Sequence, residues 1–220
     1  MSDNCGSMCR TLAACLLAAV LAAGVCGCGV TAGEPGLGSS GTNEAAVPLT
    51  FSGMTDAERQ KAAESARDAV ESYYRAMISD RQDFPALGLP LSETCDEYLR
   101  LRFAYDSAGF AAHHATYLNG TYTVEKIYAV QERLVCYIQA EVNYRYRGAE
   151  MDSADGDCIQ VVLTDPASPT VADWYCAFPA SFDSGVRNWG LRMTVPSNWL
   201  EESDMPAIRE KAGQIMEDRN

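Results

Sequence analysis

The sequence predicts an α+β domain in which helices come first and antiparallel strands follow. Apolar residues recur at helical spacing between residues 55 and 118, whereas residues 134–147 alternate with a period of two. A final amphipathic segment begins at Asp204. Helices and strands that are segregated along a chain are typical of the α+β class. We therefore expect N-terminal helices packed on a curved antiparallel sheet of about five strands, followed by a C-terminal helix.

The helical half carries clear start signals. Thr55 is a favoured N-cap and Glu58 stands three residues later, which is the capping-box pattern. Apolar residues then fall on one face as far as Ile78, so we expect an amphipathic helix of about five to seven turns. Ser92 caps a second helix, and the Asn-Gly pair at residues 119–120 indicates a turn before the strands.

The strand half follows this turn. Residues 121–130 are rich in β-branched and aromatic side chains, and residues 134–147 have the alternation of a half-buried strand. Two further strands flank a proline-containing turn, and a fifth strand follows before Pro196 ends it. These three predicted strands span residues 158–164, 171–178 and 188–195.

Residues 1–27 have the order of a secretory signal. A single positive charge at Arg10 precedes an apolar run, and small residues follow that run. Three outcomes are open: cleavage before Cys28, cleavage after Ala32, or retention of the segment as a membrane anchor. Each of these outcomes places the rest of the chain outside the cytoplasm.

The sequence Val-Cys-Gly-Cys at residues 25–28 resembles the lipobox of bacterial lipoproteins. The resemblance implies that Cys28 carries lipid, such as palmitate, and that the protein is anchored to the bacterial cell membrane. Residues 28–50 are rich in Gly, Ser, Thr and Pro, so we expect them to form a flexible tether. Residues 51–220 then form the single α+β domain.

The composition excludes some classes of partner. The chain has a formal net charge of −13, from 17 Lys and Arg against 30 Asp and Glu. Contacts with nucleic-acid phosphates need clustered Lys and Arg, so nucleic acid is not an expected partner. The acidic balance also argues against tight contact between the domain itself and anionic lipid heads.

Residues 55–196 resemble the nuclear transport factor 2-like superfamily, which includes ketosteroid isomerase and polyketide cyclases. The resemblance rests on the element order and on two phrases, Tyr-Tyr-Arg-Ala-Met at residues 73–77 and Asp-Phe-Pro-Ala-Leu at residues 83–87. It implies that a strongly curved sheet wraps the first helix to form a cone with an apolar pocket. The superfamily contains enzymes and non-catalytic binding domains, so this fold would not decide the function.

Acid–base candidates lie within residues 111–118, where the sequence allows either the end of the second helix or a third helical piece. His113 and His114 are the two histidines of the chain. They could provide a general base at the mouth of the cone, with Tyr105 and Asp106 nearby. The alternative is that both histidines lie on a partly exposed helix end and have no chemical role.

Two pairs of residues on the predicted strands carry further hypotheses. Trp174 and Trp189 either line a pocket or fill the core. Cys158 and Cys176 stand at positions that would face each other across the predicted hairpin, which predicts a disulfide in an oxidising compartment. The alternative is that both cysteines remain buried free thiols.

No metal or cofactor is expected from the sequence. The acidic residues around residue 155 lack the alternating ligands and the final glutamate of a calcium loop. The cysteines lack the Cys-x-x-Cys spacing of zinc sites, and no glycine-rich phosphate loop stands between a strand and a helix.

Three functions remain open at this point. The first is an exported binding or accessory domain for a peptide, a small apolar ligand or an envelope protein. The second is a small-molecule isomerase or cyclase that uses the histidines or Asp106. The third is a subunit of an envelope protein complex, with the sheet face that carries Tyr137, Arg145 and Arg147 as the contact.

Overall fold

The fold is seen in a computed structural model that describes residues 50–79, 83–130, 132–176, 181–187 and 199–219. Two helices are followed by an antiparallel sheet, then by a short and a longer helix, which confirms the α+β class and the C-terminal helix. The elements are α1 Asp56–Met77, α2 Glu93–Ala112, β1 Thr116–Val130, β2 Arg133–Arg145, β3 Ser153–Thr164, β4 Thr170–Cys176, α3 Phe182–Arg187 and α4 Met205–Glu217.

Several predictions concern residues outside these ranges. The signal at residues 1–27, all of the tether except Thr50, and the fifth strand at residues 188–195 lie outside the described residues. Within the described ranges the sheet has four strands. None of the helices in these ranges is long and apolar enough to cross a membrane.

Helix α1 begins where the sequence predicts. The Thr55 hydroxyl accepts a hydrogen bond from the Glu58 backbone N–H (3.3 Å), and the Glu58 carboxylate accepts one from the Thr55 N–H (2.8 Å). These bonds satisfy N–H groups that the start of a helix leaves without partners. The buried residues of α1 lie at helical spacing and are Ala62, Ala63, Ala66, Ala69, Val70, Tyr73, Tyr74 and Met77.

The strands form an antiparallel meander in the order β1-β2-β3-β4. Cys136 of β2, Val161 of β3 and Trp174 of β4 stand opposite one another and belong to the main core with α1 and α2. Because successive side chains alternate between the two faces of a strand, their neighbours point to the outer face. A smaller apolar cluster on that face consists of Val135, Tyr137 and Val162.

Strand β1 begins earlier than the sequence predicts, and residues 119–120 are part of it rather than a turn. A Cβ on Gly120 would lie 2.6 Å from the Tyr117 hydroxyl oxygen and 2.9 Å from that of Tyr122. Glycine leaves room here for the ends of two tyrosine side chains, which share a hydrogen bond of 3.3 Å. Pairing with β2 therefore overrides the local turn preference of Asn-Gly.

The expectation that Cys158 faces Cys176 is wrong. The β3–β4 register shifts by one residue between Val162 and Leu163, so Cys176 stands opposite Ile159. A shift of one residue moves a side chain to the other face of the sheet. Cys176 therefore lies on the inner face, whereas Cys158 lies on the outer face, and the two form no disulfide with each other.

Candidate functional sites

The predicted pocket residues fall at separate places in the fold. Asp106 lies on α2 with 18% of its side chain exposed, whereas both histidines are exposed at the end of that helix, roughly 10 Å further along its axis. Trp174 is fully buried on β4. The predicted lipid-attachment residue Cys28 and the second pocket tryptophan, Trp189, lie outside the described residues.

Tyr105 belongs to the junction between α2 and the C-terminal helices. Its ring centroid lies 5.4 Å from that of Phe182 on α3. The guanidinium of Arg219 lies 3.9 Å from the same ring centroid and donates a hydrogen bond to the Tyr105 carbonyl (2.6 Å). These contacts give Tyr105 a packing role between helices.

A buried ionic network connects α1, α2 and α3. Arg102 of α2 lies with Nε 3.1 Å from Oδ2 of Asp106 and with Nη1 3.0 Å from Oδ2 of Asp183. The Tyr73 hydroxyl donates to Asp106 (3.2 Å), and the Tyr98 hydroxyl donates to Asp183. We call these five residues the interior network. One cation thus stands between two carboxylates, and each carboxylate also accepts a tyrosine hydrogen bond.

Burial shifts the pKa values inside the interior network. Burial, together with the negative charge of Asp183, raises the pKa of Asp106 more than the ion pair with Arg102 and the hydrogen bond from Tyr73 lower it. It also raises the pKa of Tyr73 and of Tyr98 well above the ordinary range, so both hydroxyls stay protonated donors. For Arg102 burial lowers the pKa, but Asp183 and the other anionic neighbours more than offset this effect.

The short helix α3 is held by a second buried ion pair. Two nitrogens of Arg187 bind both carboxylate oxygens of Asp173 on β4, at 2.7 and 3.0 Å. The backbone N–H of Leu200 also donates to Asp173 (3.0 Å). Since Asp183 at the start of α3 pairs with Arg102, this helix carries one charge of each sign into the core.

Aromatic rings fill the space between α1, α2 and the sheet. The ring of Tyr73 has its centroid 5.4 Å from that of Trp174 and 5.5 Å from that of Phe103. All three side chains are at most 2% exposed. In the part of the fold that the structure describes, Trp174 therefore belongs to the core, and the interior network is embedded in packed side chains.

Sequence reasoning missed Arg102 and Asp183 as members of this network. A signal existed for Arg102, because it lies on the same helical face as Leu99 and Phe103 and is buried with them. Asp183 offered no comparable signal, since its partner Tyr98 is 85 positions away in the chain. Only the folded chain brings them together.

An open pocket of about 470 Å³ lies where α2 ends and β2 ends. We call it the basic pocket, and it is lined by Ala112, His113, His114, Tyr146 and Arg147. The Arg147 N–H donates to the His113 carbonyl (3.3 Å), and the rings of His113 and Tyr146 meet edge to face at 5.4 Å. These contacts join the two walls, so the structure places both predicted histidines in one surface depression.

His114 adopts a left-handed backbone conformation with φ of 48°. The position directly after a helix commonly takes this conformation, and glycine is the residue that adopts it without a steric penalty. For other residues the left-handed region costs about 1–2 kcal/mol. The chain thus holds a histidine where glycine would fit better, and this histidine lines the basic pocket.

Comparisons with protein-family models, curated proteins and solved structures found no match for this chain. The resemblance to the nuclear transport factor 2-like superfamily and the curved, cone-like sheet therefore stay predictions from sequence.

Proposed function

We propose that the chain is an exported, lipid-anchored binding or accessory domain on the outer side of a bacterial cell membrane. The observation that supports this best is the mutual pairing of Arg102, Asp106 and Asp183 in a filled core. A catalytic acid or base needs to reach a substrate in a pocket, and these groups are committed to one another. Recognition is then left to the surface of the domain.

The membrane attachment is proposed from the leader and from Cys28. An uncharged apolar segment follows Arg10, and the lipobox-like sequence ends at Cys28. A net charge of −13 suits a domain that stays in water beside a membrane. The lipid, rather than the domain surface, would provide the attachment to the bilayer.

Metabolic labelling with radioactive palmitate tests this attachment. Wild type, Cys28→Ala and the matched control Cys26→Ala would be expressed in bacteria and compared after immunoprecipitation. We expect label in the wild type and in Cys26→Ala, and loss of label in Cys28→Ala. Equal labelling of wild type and Cys28→Ala would remove Cys28 as the attachment point.

A second candidate function is that of a subunit in an envelope protein complex, and strand β1 favours it. This strand is an edge of the sheet within the described residues, and it exposes Leu118 (40%) and Tyr128 (46%). Edge strands offer unpaired backbone groups that another chain can pair with. We expect Leu118→Lys to reduce cross-linking to envelope proteins in intact cells, whereas the control Met151→Lys, exposed on the β2–β3 turn, leaves it unchanged. Equal cross-linking of all three proteins would exclude this edge as the contact.

A further inference from the structure

We propose that strand β1 pairs with β1 of a second copy of this chain, antiparallel and through residues 121–130. A two-fold axis between Glu125 and Lys126 relates the two copies. The inference goes beyond the proposed function and does not depend on the lipid anchor. It follows from the contrast between the two edges of the sheet, from an extra residue in β1 and from the charges at that residue.

The edge of the sheet at β4 is closed by the chain itself. Val171 exchanges two backbone hydrogen bonds of 2.9 Å with the segment before α2, at residues 90–92. The backbone N–H and carbonyl groups of Trp174 and Cys176 are bound by polar side chains at 2.7–3.2 Å. These side chains belong to Asp173, Ser181, Asp183 and Arg187. Another strand cannot pair with backbone groups that already have partners.

The edge at β1 is open over most of its length. At its start, the Tyr117 N–H donates a hydrogen bond to the Ile78 carbonyl (3.1 Å). Further along, the described part of the chain contains no backbone hydrogen bond from residues 121–130 other than those of the pairing with β2. Most side chains of this segment are exposed. It therefore offers unpaired backbone groups to an incoming strand.

Strand β1 contains an extra residue within this segment. Val124 and Lys126 pair with neighbouring residues of β2, whereas Glu125 between them has no partner of its own. Val124 and Ile127 lie three positions apart, and both pack against the main core. In a regular strand such residues would point to opposite faces. The bulge thus changes which residues of β1 share a face.

This bulge limits the registers in which β1 can pair with its own copy. A two-fold axis perpendicular to the sheet keeps each side chain on the same face, and if one residue meets another the reverse contact also forms. Residues that stand opposite each other must share a face. Val124 and Ile127 meet this condition because of the bulge. Pairing Val124 with Ile127 of the second copy places the axis between Glu125 and Lys126.

The charges at the bulge select the same register. Glu125 and Lys126 are exposed, and neither has an ion pair within the described residues. In the proposed register Glu125 stands opposite Lys126 of the second copy, twice because of the symmetry. A shift by one position would set Glu125 against Glu125 or Lys126 against Lys126, which is destabilising. A lysine on an edge usually discourages pairing, but here its neighbour supplies the opposite charge in a second copy.

The uncharged pairs of this register are also favourable. Thr123 and Tyr128 lie on the outer face, opposite Gln139 and Val135 of β2, and they would stand opposite each other across the axis. A β-branched residue beside an aromatic ring is a stabilising cross-strand pair. Tyr128 is 46% exposed in the single chain, so pairing would cover part of its ring. The segment is thus complementary to itself, which favours a second copy over an unrelated strand.

Cysteine cross-linking of the full chain tests the register. Thr123→Cys and Tyr128→Cys would be co-expressed with different tags and purified in detergent before mild oxidation. The two positions face each other in the proposed register, so a disulfide-linked pair that carries both tags should form. Each variant alone should give at least about fivefold less product, because the two copies of either position lie more than about 12 Å apart.

The single variants also control for the native cysteines. Cys158 is partly exposed on the outer face and is present in every preparation, so any product that it forms appears equally in all of them. Equal product from the co-expressed pair and from the single variants would overturn the proposed register. The absence of product from the co-expressed pair would overturn it as well.

Charge reversal tests the ion pairs across the axis. Glu125→Lys and Lys126→Glu each place like charges opposite each other twice, so each should weaken the dimer at least about tenfold in sedimentation equilibrium. The combined variant restores opposite charges and should return the dissociation constant to within about threefold of wild type. A combined variant that dimerises no better than the single variants would contradict the pairing, as would a wild type that is monomeric at every concentration.

The matched control is Glu210→Lys. Glu210 is exposed on α4, and its replacement changes the net charge as much as Glu125→Lys does. We expect its dissociation constant to stay within about twofold of wild type. Circular dichroism should show the same fold for all variants, since the replaced residues are exposed. Equal weakening by Glu210→Lys and Glu125→Lys would mean general charge repulsion and would overturn the proposal.

Two outcomes separate this inference from the proposed functions. Leu118 lies before the paired segment, so Leu118→Lys should leave the dimer intact. A wild type that is monomeric when purified, but is cross-linked through β1 to another envelope protein in cells, would overturn the pairing of two copies and support the second candidate function. Failure to dimerise beside normal palmitate labelling would overturn this inference and leave the anchored function standing.

Discussion

The interior network and the basic pocket use the same kinds of residue in opposite ways. Inside, Arg102 is only 4% exposed and is shared by Asp106 and Asp183. At the surface, Arg147 and the two histidines line a depression. The first arrangement uses charge to fix the fold, whereas the second lies at the surface of the domain. A mutation in the first should change stability much more than a mutation in the second.

The largest effect is expected for Arg102→Met. The change leaves the buried carboxylate of Asp183 and the partly buried carboxylate of Asp106 without their cation, which should lower the free energy of unfolding by about 3–5 kcal/mol. Urea unfolding of the full chain measures this. The control Arg100→Met removes an exposed arginine paired with Asp96 on the same helix and should cost about 1 kcal/mol or less. Similar losses of unfolding free energy for both variants would show that the buried and the exposed arginine contribute equally to stability.

A smaller loss is expected for Asp173→Asn. This change leaves the buried Arg187 with a neutral partner and should lower the free energy of unfolding by about 2–3 kcal/mol. Asp152→Asn is the matched change at an exposed pair with Arg145, where we expect about 1 kcal/mol or less. An unaltered urea midpoint for Asp173→Asn would show that α3 does not depend on this ion pair.

Asp106→Asn should reveal a pH dependence. The pKa of Asp106 is raised in the fold, so the folded state holds this proton more tightly than the unfolded state. The resulting stability is fully present below the ordinary Asp pKa of about 3.9 and is lost as the pH rises through the folded value. Relative to Asp106→Asn, the wild type should therefore lose free energy of unfolding as the pH increases across that window. A difference between the two proteins that does not vary with pH would contradict the raised pKa.

The smallest effect on stability is expected for Arg147→Gln. This exposed residue lies in the basic pocket, so its replacement should change the free energy of unfolding by about 0.5 kcal/mol or less. Thermal unfolding of wild type and variant at equal concentration measures it. A loss of unfolding free energy as large as that of Asp173→Asn would show that Arg147 stabilises the fold, and it would weaken the contrast between the interior network and the basic pocket.

Local signals in the sequence predicted the elements well where they acted alone. The capping box at Thr55 and Glu58 forms as expected, and the alternation after residue 133 is strand β2. Both depend on residues close together in the chain, which is the range over which sequence patterns carry information. The element order and class followed from them.

Prediction failed where distant residues decide the outcome. The Asn-Gly pair at residues 119–120 extends in β1 because β2 pairs with it, and Tyr117 and Tyr122 require a glycine between them. The one-residue shift in the β3–β4 register cannot be predicted from the alternation of apolar and polar residues. It changes which side chains of β4 face the core without changing the composition of the strand.

Only some residues of the candidate sites could be predicted from the sequence. His113 and His114 stand out as a pair, but Tyr146 and Arg147 reach them because Thr116 pairs with Arg145, which brings the end of β2 beside the end of α2. Asp106 lies one turn further along α2 from Arg102, but the second partner, Asp183, could not be found because it lies on another element.

The one-residue shift between β3 and β4 has a consequence for disulfide formation. Linking Cys158 to Cys176 would require β4 to slide by one position, and the slide would turn Trp174 from the core towards the opposite face. We therefore expect the described part of the domain to fold without a disulfide between Cys158 and Cys176. It should keep the same shape in a reducing medium as in air.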